Sequence, residues 1–178
     1  MKVNYLYLPH SPPAMKQSVL FALLCILSGS AASARSWFQT IDKAGFYSVM
    51  ASDNLEETNK ELTIVAASTI KEKEAYMGAL LMRKAGLLTR AKEKLATFKS
   101  GYAKMERSIA LDSANTEYRF LRLIIQEHAP RVVHYDKDRE KDSRAIIQSF
   151  PALPPVLQKA ILNYCPHSKL LHERELNG

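Results

Sequence analysis

The sequence predicts an all-α fold of about seven helices, and three observations carry that prediction. Apolar residues recur at three- and four-residue intervals through successive windows, the spacing of one helix face. Between the windows stand residues that cap or break helices: Asp53, Thr89, Asn115, Pro130 and the group Pro151, Pro154 and Pro155. The chain has only 6 Gly in 178 residues and no alternating apolar–polar run long enough for a strand, which argues against a turn-rich β fold.

The elements follow in order. A first helix is expected over 37–50, capped by Ser36, with Trp37, Phe38, Ile41, Phe46 and Val49 on one face. Ser52 or Asp53 caps a second over Leu55–Ala67, where Glu56 and Glu57 suit the positive end of the helix dipole. A third, opened by Ser68 or Thr69, runs over 71–88. Its Ala75, Gly78, Ala79 and Ala85 are small enough to let a neighbour come close. The fourth, Ala91–Leu111, carries the amphipathic stripe Leu95, Phe98, Tyr102, Met105 and Ile109. Residues 112–115 connect it to a fifth, capped by Asn115 and ended by Pro130. A loop over 131–138 follows, then a sixth helix over 137–150 and a last over 156–164, after Pro155. The helices pair as antiparallel hairpins. Residues 167–178 are expected to be a loose, charged tail.

The composition, 47% hydrophobic and 24% charged, is that of an ordinary globular chain. Residues 15–34, MKQSVLFALLCILSGSAASA, have the basic start, apolar core and small-residue end of a secretory signal. Cleavage after Ala34 leaves Arg35 as the mature N-terminus. The apolar core 19–27 is far short of the ~20 residues a membrane span needs, so no stable span remains after cleavage. The prolines at 9, 12 and 13 fit such a signal poorly, which leaves two starts open, Met1 with a long extension or Met15. Cys25 lies within the apolar core behind Leu24, where a lipid-attachment site would need a small residue. The organisation is thus 1–34 extension and signal, 35–166 helical domain, 167–178 tail, and the protein is exported, periplasmic or secreted.

Without Lys2 and Lys16 the net charge falls from +7 to +5, with both signs interspersed. A nucleic-acid footprint needs basic residues gathered on one face, and none are, so no nucleic-acid partner is expected. Cys165 is left as the single thiol. It pairs between chains, reacts, or is simply a small apolar residue near a helix end.

The stretch SIALDSANTEYRFLRL, 108–123, resembles the junction between consecutive tetratricopeptide repeats. Small Ser108, the aliphatic-Ala-Leu-Asp run and the polar turn before an aromatic helix carry the likeness, and Gly101 supplies a further small position. Ser113 stands where that family usually has proline, and no 34-residue self-match recurs. The resemblance implies a degenerate helical array of hairpins. From Trp37 onward the chain is also similar to an uncharacterised family of exported bacterial helical proteins. That likeness rests on YRFLRLIIQEHAP, 118–130, on Tyr135 and on the acidic, lysine-rich start of the next helix. It implies export, helices and a Gram-negative source, and no activity.

On a helical wheel of the fifth helix, Arg119, Arg122 and Gln126 share one narrow polar strip, and almost all the rest is apolar. Two readings stand. The strip lines a groove that, with Tyr135 of the following loop, holds a carboxylate or acidic peptide. Alternatively, the arginines pair with acidic residues of adjacent helices, such as Asp112 or Asp142. Glu117 and Glu127 have no second carboxylate at acid–base spacing. His128, His134, His167 and His172 are scattered, so no metal site is expected. No nucleophile motif supports a triad and no Gly-rich loop a phosphate, so neither a cofactor nor catalysis is expected. The expected function is a non-enzymatic exported module binding a protein or peptide through Arg119, Arg122, Gln126 and Tyr135. The other expectation is a self-associating structural protein of the cell envelope, bridged through Cys165.

Overall fold

The computed structural model describes residues 41–176. The expected signal peptide, its expected cleavage between Ala34 and Arg35 and the first residues of the expected 37–50 helix lie outside the described residues. Within them the chain is all-α: eight α-helices joined by short connectors and three single turns of 3-10 helix, with no strand among the described residues.

Helix α1 spans Lys43–Ala51 and starts where the Asp42 side chain accepts the Ala44 N–H at 3.0 Å. Helix α2, Leu55–Ala67, is capped by Asn54, which takes the N–H groups of Glu56 and Glu57. The cap is therefore one residue beyond Asp53 and two beyond Ser52, the two expected caps. Asn54 wins because its carbonyl oxygen reaches two of the orphan donors of the first turn at once.

Helices α3, Lys73–Leu87, and α4, Ala91–Leu111, form an antiparallel hairpin. Its close approach depends on two glycines. A Cβ on Gly78 would lie 2.9 Å from the Gly101 carbonyl oxygen and the Met105 nitrogen, and one on Gly101 would lie 2.6 Å from the Gly78 oxygen. The backbones are in contact where side chains would otherwise hold them apart. The expected stripe of α4 is buried only in its second half. Met105 and Ile109 are in the core and Phe98 packs against it partly buried, while Leu95 and Tyr102 stay 49% and 41% exposed.

Helix α5, Thr116–His128, begins at Asn115, whose side chain accepts the Tyr118 N–H at 3.2 Å. It is apolar nearly all round and feeds two hydrophobic clusters. Tyr118, Leu121 and Ile125 join Phe46, Leu62, Val65, Tyr76, Leu80 and Met105 in the first. Phe120 and Leu123 join Ile146, Phe150, Leu157, Ile161 and Cys165 in the second. Ile124 packs against both.

The loop after α5 opens with a 3-10 turn, Arg131–Val133. His134 then takes a left-handed backbone, φ 48°, and Tyr135 is buried. Helix α6 spans Arg139–Ser149 and runs antiparallel to α5, as the contacts Arg119–Asp142 and Arg122–Asp138 require. Helix α7, Pro155–Tyr164, starts at its proline, whose missing N–H costs nothing at that position. The C-terminal residues correct an expectation. Leu171 and Leu176 are buried in the second cluster, and a short helix α8, Glu173–Leu176, closes the described chain. Two apolar side chains among charged neighbours were enough to dock a stretch that reads as a tail.

Candidate functional site

The polar strip of α5 exists, and it faces α6. Arg122 sends Nε to Asp142 Oδ2 at 2.7 Å and Nη2 to Asp142 Oδ1 at 2.9 Å, a two-point fork. Arg119 reaches the same Oδ1 at 2.9 Å and also donates to the Ser113 carbonyl. The free edge of Arg122 meets Glu106 Oε2 of α4 at 3.1 Å, and Tyr135 donates to Glu106 Oε1 at 2.6 Å. Asp138 lies 3.5 Å from Arg122.

This corrects the reading of an open groove. Arg122 is 4% exposed, Gln126 2%, Tyr135 3% and Asp142 0%. Three of the four candidate residues are inside the protein, and only Arg119 keeps partial exposure. Of the two acidic partners expected, Asp142 pairs with the arginines, and Asp112 instead accepts from Asn115. Burial works against the charge on Arg122, but the hydrogen bonds and charge of Asp142, with Glu106 and Asp138 behind them, outweigh it and hold its pKa above the usual value. Burial and Glu106 push Tyr135 up as well. Tyr135 is packed edge-on between Phe98 and Tyr102. Gln126 sits one turn further along α5 with both amide atoms buried and unpaired among the described residues.

A second polar knot lies at the start of α5, where no acid–base spacing had marked it. Glu117 accepts from Lys43 Nζ at 2.8 Å, Tyr47 OH at 2.7 Å and the Tyr76 hydroxyl. Burial and the Glu117 charge raise the pKa of both tyrosines. With three donors from α1 and α3, the carboxylate is committed to joining helices. At the other end of α5, Glu127 accepts from Tyr164 OH, Ser168 Oγ and the Lys169 N–H, each within 2.8 Å, and so anchors the C-terminal stretch. Among the described residues, no three metal-ligating side chains come together, and no helix is long and apolar enough to cross a membrane. Cys165 is free and buried, and its thiol pKa is raised by burial and then by Glu173. A bridge between chains would require that cluster to open.

An open concavity lies elsewhere. A cleft of about 700 Å³ lies between α1, α5 and α7, within the size range of ligand pockets. Its walls are apolar: Met50, Phe120, Ile124, Ile125, Val156 and Ala160. Two permanent cations, Arg83 and Lys159, line it, with the imidazoles of His128 and His167. The single acid in the lining, Asp53, is already held by Arg83 Nη2 at 2.6 Å. That same Nη2 donates to the Ser52 carbonyl at 2.7 Å, whereas Arg83 Nε is buried without a partner among the described residues. Ser48 and Asn163 also line the cleft, and both are exposed.

No sequence signal marks this site. Its residues come from four helices and are spread from Ala44 to His167, with no motif linking them, and α5 contributes its apolar side rather than its polar strip. Comparison of the chain with protein-family models, with curated proteins and with solved structures finds no match.

Proposed function

We propose that this chain is an exported, non-enzymatic helical module that binds a protein or peptide, and that the cleft between α1, α5 and α7 is its recognition face. One observation carries the reading: about 700 Å³ of apolar-walled space with polar groups at its edge, whereas Arg119, Arg122 and Glu117 are already paired with neighbouring helices. Binding clefts combine apolar walls with a few placed polar groups in this way. The resemblance of 108–123 to a tetratricopeptide junction favours the same class of function, since such arrays present concave surfaces to peptides.

Two measurements test it. Export predicts that the protein purified from its own source begins at Arg35 by N-terminal sequencing; an intact Met1 or Met15 removes that part of the reading. Recognition is tested by selecting a random peptide library on the chain and on Ala44→Trp, which fills the cleft from the exposed face of α1. Clones that bind the wild type and lose binding to Ala44→Trp support the reading. If every clone binds both equally, the cleft is not the recognition face.

A further inference from the structure

We infer that the occupant of the cleft is an acidic peptide segment, with its carboxylates on Arg83 and Lys159 and its apolar side chains against Phe120, Ile124 and Val156. The inference rests on the cleft being the recognition face and adds what it recognises.

Charge comes first. Of the two permanent cations in the lining, Arg83 is partly occupied by Asp53, and Lys159 has no ion pair among the described residues. No other acid lines the cleft, so its charge is uncompensated by one. A cation beside an apolar wall, where field lines are focused, gathers anions from solution. With Nη2 donating to Asp53 and Ser52 and Nε buried, Arg83 keeps Nη1, which makes no hydrogen bond among the described residues, for a single charge-assisted bond to a carboxylate. Arg83 is also held in place. Its Nη2 is tied to the Ser52 carbonyl at the end of α1, so little side-chain freedom remains to be lost when a ligand arrives.

The polar groups decide between a peptide and an acyl chain ending in a carboxylate. An acyl chain needs only the apolar wall and the cation. A peptide also brings backbone N–H and C=O groups, which must find partners when covered. Ser48 on α1 and Asn163 on α7 line the cleft from opposite sides, and no hydrogen bond within the described residues engages either side chain. The Asn163 amide offers both donor and acceptor, and the Ser48 hydroxyl likewise. His128 adds a third through Nε2, its Nδ1 being held at the Ile124 carbonyl at 2.9 Å. Such a lining has partners ready for a backbone, and an acyl chain would leave them covered and unpaired at a cost.

The test uses fluorescein-labelled peptides of alternating Leu and Glu, the same peptide with Lys in place of Glu, and dodecanoate as competitor, read by anisotropy on the mature chain. The Glu peptide is expected to saturate and the Lys peptide to bind at least about tenfold more weakly. Lys159→Glu, on an exposed residue of α7, should weaken the Glu peptide by about tenfold or more with unchanged circular dichroism. Raising the salt should weaken it too. Equal binding of the Glu and Lys peptides, or no effect of Lys159→Glu, overturns the inference. So does saturable dodecanoate binding where the Glu peptide does not bind. If library clones still distinguish the wild type from Ala44→Trp in any of those cases, the cleft remains the recognition face and only its acidic preference is lost.

Discussion

Arg122 and Asp142 form a two-point ion pair in the interior, with Asp142 fully buried and Arg119 closing on the same carboxylate from the preceding turn of α5. One carboxylate thus answers two guanidiniums and fixes α5 against α6. Asp142→Asn leaves the shape but removes the charge. Breaking one side of a buried pair typically costs about 3–5 kcal/mol. A loss of that order is expected in urea unfolding, together with no loss of peptide binding per folded molecule. A variant as stable as the wild type would show that the pair does not hold the helices.

The crossing of α3 and α4 predicts a loss of similar kind from a change of one methyl group. Gly101→Ala puts a Cβ 2.6 Å from the Gly78 carbonyl oxygen, which is backbone and cannot swing aside. The helices must separate, and overpacking of this sort costs about 1–3 kcal/mol. Gly86→Ala is the control, since nothing lies within 4 Å of a Cβ there. It should be neutral or mildly stabilising because alanine is the better helix former. Thermal unfolding of the two variants checks both signs.

The buried tyrosines predict the alkaline limit. Burial first, and then the charges of Glu117, Glu106 or Glu127, raise the pKa of Tyr47, Tyr76, Tyr135 and Tyr164 above the ordinary 10.0. A group whose pKa is raised by folding contributes stability that is complete below its unfolded pKa and is lost as pH rises through the folded one. Stability should therefore begin to fall above pH 10. Absorbance of tyrosinate should show these four titrating together with unfolding, not before it. Smooth titration of all tyrosines in a folded chain would contradict this.

Glu61 acts with the same sign at lower pH. It is buried on α2 without an ion-pair partner among the described residues, and its pKa is raised by burial and then by the Asp42 charge. Its charged form opposes folding, so the proton it prefers is lost as pH rises. Glu61→Gln should raise the melting temperature at pH 7 by about 2–4 °C. The gain should shrink as pH falls below the ordinary carboxyl value of 4.5, where Glu61 is neutral in both the folded and the unfolded chain. A gain that is the same at pH 7 and pH 4 would show that charge is not its cause.

How much of this was legible in the sequence follows from the range of the interactions involved. Helices α2 to α7 could be read because periodicity, caps and prolines are local. Even the Asp142 partner of the arginines was within reach, since Arg122 and Asp142 face each other across one connector. What escaped was set by distance along the chain. Nothing near Glu117 announces that Lys43, Tyr47 and Tyr76 will converge on it. The tail misled for the converse reason. Its charged residues dominate the composition, but Leu171 and Leu176 decide where it goes. The cleft is legible only once α1 and α7 have been brought beside α5.

Helix α5 has a consequence for how the chain can vary. In stacked arrays each unit touches only its neighbours, so units can be gained or lost without dismantling the rest. Here the Phe120 and Leu123 side of α5 belongs to one cluster and the Leu121 and Ile125 side to the other. Cutting the chain after α4, or before α6, would strand one of those faces in water. The part described is therefore one cooperative unit, expected to melt in a single step, and insertions at its ends or in connectors that touch neither side of α5 are expected to cost least.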